Sequence, residues 1–95
     1  MNRYEVALII RPEIDQEGQD ALIARLSEIL TADGGQVDNV ESWGRRRLAY
    51  PIKKVQEGVY CFVQGQFATS VLPEFDRWVK LSEGILRHMV IRMEA

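Results

Sequence analysis

The segment Trp43-Gly44-Arg45-Arg46-Arg47-Leu48-Ala49-Tyr50-Pro51-Ile52-Lys53-Lys54 is a basic run flanked by aromatics. Three adjacent guanidinium groups suit phosphate oxygens and base edges, because each planar fork donates to two acceptors at once. From Ser42 to Gln56 there are five Arg/Lys and no acid, a local charge of +5. From Pro12 to Glu41 there are eight acids and one base, Arg25, a local charge of -7. The whole chain is acidic, with a net charge of -2, yet its positive charge is concentrated enough to hold a polyanion. A charge run is more often a solvated face, or a guard against aggregation on an edge strand. Two features favour binding here. The tight cluster is all arginine, and its flanks read as a strand that fixes the charges in space.

Other chemistries find little support in the residue types. One histidine, His88, and one cysteine, Cys61, do not make a zinc site. Cys61 lies in the alternating run Val59-Tyr60-Cys61-Phe62-Val63, which predicts a small buried strand residue rather than a reactive thiol. A phosphate-cradling loop after the first strand would need glycines, and Arg11-Pro12-Glu13 has none. Val63-Gln64-Gly65 echoes such a loop only in mid-strand, and the only asparagines are Asn2 and Asn39. No catalytic residue, metal or cofactor is expected. An acylphosphatase-like enzyme and a small-molecule-sensing domain remain the alternatives; the sensor would be expected to dimerise alone.

Ninety-five residues, 46% of them apolar, predict a single domain over 1–95 with its own core. A lone cysteine fits a reducing compartment. No apolar run approaches the ~20 residues that cross a bilayer, and the start does not read as a signal peptide.

The periodicities give the elements that must position the basic run. Tyr4, Val6, Leu8 and Ile10 alternate as one face of a strand ending at Arg11-Pro12. Asp15 is the expected N-cap of a helix to about Asp33, with Leu22, Leu26, Ile29 and Leu30 as its inner stripe. Gly34-Gly35 stops it, one of the two being left-handed. Val37 to about Tyr50 reads as a long strand, bulged or bent at Gly44. Residues 51–58 read as a hairpin loop carrying Lys53 and Lys54, and Val59–Phe67 as the next strand. Thr69 or Ser70 caps a second helix with Pro73 in its first turn and Val71, Leu72, Phe75, Trp78 and Val79 inward. Gly84 ends it, and Ile85–Met93 is the last strand. The order βαββαβ predicts an α+β, ferredoxin-like split βαβ fold: a four-stranded antiparallel sheet with two helices on one face. Both sides of the last strand carry apolar residues, which hints that another chain covers part of the open face or an edge.

With that order in place, three blocks resemble one family, the bacterial small-subunit ribosomal protein S six. They are Arg3-Tyr4-Glu5, Gly44-Arg45-Arg46-Arg47-Leu48-Ala49-Tyr50-Pro51-Ile52 and Leu86-Arg87-His88-Met89-Val90-Ile91-Arg92. The central block is the specific one, and the correspondence runs along essentially the whole chain. The family often carries a further C-terminal extension, sometimes charged; with the sequence given ending at Glu94-Ala95, no role of such a tail is expected here. The resemblance implies a structural role on the cytoplasmic ribosome. It implies binding to the central domain of small-subunit ribosomal RNA together with ribosomal protein S eighteen, as a heterodimer, from a chain that is monomeric alone.

Arg45, Arg46 and Arg47 are then the leading interface residues. Strand alternation puts Arg45 and Arg47 on one side and Arg46 on the other. Arg3, Tyr4, Arg87 and Arg92 are expected to join and converge with them. Tyr50 is read first as core, with base stacking second. His88 is read as a neutral surface or interface residue. Trp78 is core; Trp43 packs the sheet or meets the partner. The third strand lacks the basic and Gly-aromatic start of the RNP-one motif, so base stacking is not expected as the main mode.

Overall fold

The computed structural model describes residues 1–93. Strand β1 spans Asn2–Ile10, helix α1 Gln16–Leu30, β2 Gln36–Ile52, β3 Val55–Phe67, α2 Leu72–Leu81 and β4 Ile85–Met93. They form one antiparallel sheet in the order β2-β3-β1-β4. This is the ferredoxin-like arrangement expected from the element order.

Local signals set the helix ends. The Asp15 carboxylate accepts from the Gly18 backbone N–H at 2.8 Å and satisfies one of the orphan donors of α1. The helix ends at Thr31, and Gly34 takes a left-handed φ of 83°. Neither Thr69 nor Ser70 caps α2 as expected. A short 3-10 turn over Thr69–Val71 comes first, and no side chain caps either element. Instead the Thr69 hydroxyl pairs with the Tyr4 hydroxyl, and the Ser70 hydroxyl donates to Asp33. Pro73 does occupy the first turn, where its missing N–H costs nothing.

The inner face of the sheet and both helices share one core. Tyr4, Val6, Leu8 and Ile10 of β1 and Val59, Cys61, Val63 and Phe67 of β3 meet Leu26, Ile29, Leu30, Phe75 and Val79. Tyr4 is therefore not a surface residue, correcting the expectation from sequence. It is 5% exposed, with its ring stacked on Phe67. The alternation that makes Val6 and Leu8 inward makes Tyr4 inward too. Only its hydroxyl reaches the rim, where hydrogen bonds first from Thr69 and then from Asn2 hold the phenol below its ordinary pKa.

Two irregularities shape the other face. In β4 the register shifts by one residue at Leu86, so Ile85 pairs with Ile10 while His88 pairs with Leu8. Ile85, His88 and Val90 thereby face the helices, and Arg87, Met89, Ile91 and Met93 face away. In β2 the expected break at Gly44 is present: φ is 76° and the register shifts between Ser42 and Gly44.

The β2–β3 hairpin is longer than expected and its loop shorter. Ile52 pairs with Val55, so only Lys53 and Lys54 form the turn. Both have positive φ, 50° and 66°, as a two-residue type I′ hairpin requires. Between Arg47–Glu57 and Ile52–Val55, four residues of β2 lie opposite one of β3. That bulge buries Leu48, 8% exposed, and throws Tyr50 outward. Lysine is poorly suited to the left-handed region, where the Cβ crowds the following carbonyl. Lys54→Gly is expected to raise stability by about 1 kcal/mol, or roughly 4–8 °C in Tm, in thermal unfolding followed by circular dichroism.

Candidate nucleic-acid and partner interface

The arginine cluster divides as strand alternation demands. Arg45 pairs with Val59 and Arg47 with Glu57, on the helix side of β2; Arg46 pairs with Gly58, on the open side. Arg45 donates from Nη2 to the Pro12 carbonyl at 2.8 Å and lies 3.7 Å from Glu57. It is thus tied to the β1–α1 loop. Among the described residues, Arg46, Arg47 and Arg87 form no ion pair. Three exposed cations without carboxylate partners leave a local positive potential available to an anionic ligand.

Not all the predicted arginines converge. Arg87 does: its Nη1 donates to the Tyr50 hydroxyl at 2.6 Å, although β2 and β4 are opposite edges of the sheet. The outward bulge after Arg47 carries Tyr50 over the open face to meet it. Tyr50, 59% exposed, is therefore not the core residue expected from sequence. Arg3 and Arg92 do not converge with this group. Arg3 sits opposite Met93, six β1 residues from the Ile9–Arg87 pair, or roughly 20 Å at about 3.3 Å per residue. There Arg3 pairs with Asp38 at 3.1 Å. Arg92 faces the helix side and donates to Asn2 Oδ1 at 2.8 Å.

His88 is engaged inside the fold. Its ring lies edge-on to Phe75 and its Nε2 is 3.1 Å from Asp76 on α2. Lys80 lies 2.8 Å from the same carboxylate. Hydrogen bonds from Lys80, then His88, hold the Asp76 carboxyl below its usual range. A depressed folded pKa contributes stability above the unfolded value and loses it as pH falls through the folded one. Asp76→Asn is expected to lower stability slightly at neutral pH and to flatten the acid limb of the stability-against-pH curve, the difference from the parent chain vanishing below the folded pKa of Asp76, as read by urea midpoints from neutral to acidic pH.

Sequence reasoning underrated the open face itself. Tyr60 and Phe62 alternate with inward Val59, Cys61 and Val63, so they lie side by side on the outer surface of β3. Trp43 packs on Phe62 with ring centroids 4.5 Å apart. Trp43, Met89 and Ile91 remain 53%, 47% and 43% exposed. The period of two in β3 was the available signal. An apolar patch of this kind rimmed by charge marks an interaction surface.

A groove between α1 and β2 has Cys61 in its lining. Burial pushes that thiol up, which makes it a poor nucleophile. Among the described residues, no three His, Cys, Asp or Glu side chains are grouped to hold a metal. No helix there is long and apolar enough to cross a membrane.

Comparison with known proteins decides the family. The sequence profile described as Ribosomal protein S6 matches residues 3–92. The chain belongs to the ribosomal protein S6 family. It is 40% identical over 94 residues to the small ribosomal subunit protein bS6 of Clostridium acetobutylicum, covering 99% of each chain. It also superposes on the crystal structure of 30S ribosomal protein S6 from Thermotoga maritima with a TM-score of 0.87 and 30% identity. That match covers 97% of this chain and 87% of the other. As an S6 protein it is a component of the small ribosomal subunit. It associates with the ribosome and its RNA in the cytoplasm. The basic run and the open apolar face are thus surfaces of an S6 protein.

Proposed function

We propose that this S6 protein joins the small subunit as a heterodimer with ribosomal protein S18. The pair binds the central domain of small-subunit ribosomal RNA, and neither step involves catalysis. One observation carries the reading: arginines that form no ion pair among the described residues border an exposed apolar sheet face. The cations suit phosphate and the apolar face suits protein, so one molecule presents both halves of a composite site. Arg45 and Arg47 on the helix side and Arg46 on the open side divide between RNA and the protein–RNA seam. The acidic remainder of the chain keeps its RNA binding weak until the partner adds positive charge.

Sedimentation of the purified chain alone, and mixed with S18, tests the first step. A monomer alone and a one-to-one complex in the mixture are expected. A stable homodimer indifferent to S18 would instead favour a ligand-sensing domain of the same fold.

A further inference from the structure

The open face is not flat. A trough of about 270 Å³ crosses it, lined by Ala7, Ile9, Tyr60, Phe62, Arg87 and Met89. Its origin is one small residue on a central strand: Ala7 pairs with Phe62 on one side and Met89 on the other. Two long side chains therefore stand above a methyl floor. Ile9 and Tyr60 continue one end, where Arg87 and Tyr50 meet at 2.6 Å.

Resting on the proposed pairing with S18, we propose that the partner anchors here. One bulky apolar side chain enters the Ala7 trough, and an adjoining carboxylate is received by Arg87 and the Tyr50 hydroxyl. The trough's chemistry selects this occupant. Its floor is strand β1, whose backbone is committed to ladders with both β3 and β4. No floor donor or acceptor is left for the polar edge of a nucleobase, and burying that edge unpaired is costly. An apolar side chain has no such edge, and the flexible Met89 wall adapts to its shape. The rim completes the match by charge. Arg87 has no carboxylate partner among the described residues, and the Tyr50 hydroxyl, having accepted from Arg87, can still donate its own proton. An apolar pocket with a polar rim, surrounded by exposed Trp43 and Ile91, is the usual anatomy of an interface hot spot.

The test is calorimetric titration of S18 into the full chain and two variants, each checked for folding by circular dichroism. Ala7→Leu fills the trough while keeping the face apolar. Arg87→Glu reverses the rim charge. Wild-type binding with roughly tenfold or greater weakening in both variants is expected. Unchanged or tighter binding by Ala7→Leu would mean that the partner rests on a general apolar surface, and would overturn the anchor alone. Unchanged partner affinity with weakened binding of a ribosomal RNA fragment would give the trough to a base. No binding by the wild type would overturn the anchor and the S18 pairing together.

Discussion

Phe75→Ala is expected to lower the free energy of unfolding by about 3–5 kcal/mol, a large share of the roughly 5–15 kcal/mol available to a natural domain. Phe75 is 1% exposed and is among the largest fully buried side chains. It touches three parts of the structure at once. On α2 it packs with Trp78, across the interface it meets the His88 ring edge-on, and it belongs to the core under β1 and β3. Removing the ring leaves a cavity between the helix layer and β4, and the surrounding backbone can close it only in part. The urea midpoint is expected to fall by at least about 1 M. Trp43→Ala, at an exposed position on the opposite face, is expected to cost far less. Equal losses in the two variants would contradict the placement of the core on the helix side. The consequence for function is positional: β4 carries Arg87, and a loosened β4 would unseat the Arg87–Tyr50 hydrogen bond without touching it.

Replacing Arg45, Arg46 and Arg47 together with alanine is expected to weaken RNA assembly and flatten its salt dependence. The slope of log affinity against log salt falls by roughly 0.7–0.9 for every phosphate that the variant no longer neutralises. Among the described residues Arg46 and Arg47 form no ion pair, so most of their charge acts outward. Arg45 is partly committed, through its hydrogen bond to the Pro12 carbonyl. Its removal costs about 0.5–1.5 kcal/mol of stability and contributes less to the slope. The triple variant remains folded, because all three side chains are exposed. Measurement of assembly from low to moderate salt reads the slope directly. An unchanged slope would remove the arginine run from the RNA surface.

Much of this architecture was legible in the residues because the signals were local. The Asp15 cap, Gly34, the Gly44 bulge and the alternations in β1 and β3 each depend on neighbours within a few positions. The family itself was legible in the Gly44–Ile52 block. The site was only partly so. Alternation correctly separated Arg46 from Arg45 and Arg47. Tyr4 was misplaced because its position beside Arg3 in the opening block outweighed its place in the inward set with Val6 and Leu8. Tyr50 was misplaced because a four-against-one bulge has no periodic signature. Arg3 and Arg92 were expected beside the cluster, yet they lie at the far end of the sheet. That separation is a matter of strand register, which pairs residues distant in sequence and is set by the whole hydrophobic pattern. The Ala7 trough was invisible for the same reason: it exists only where Ala7, Phe62 and Met89 come abreast.

The most direct test of the assembly reading is a titration against a fragment of small-subunit ribosomal RNA containing the central domain, with and without S18. The account predicts weak, salt-sensitive binding by the chain alone and tight binding when both proteins are present. Equal affinity with and without S18, with the partner shown to be folded, would contradict it.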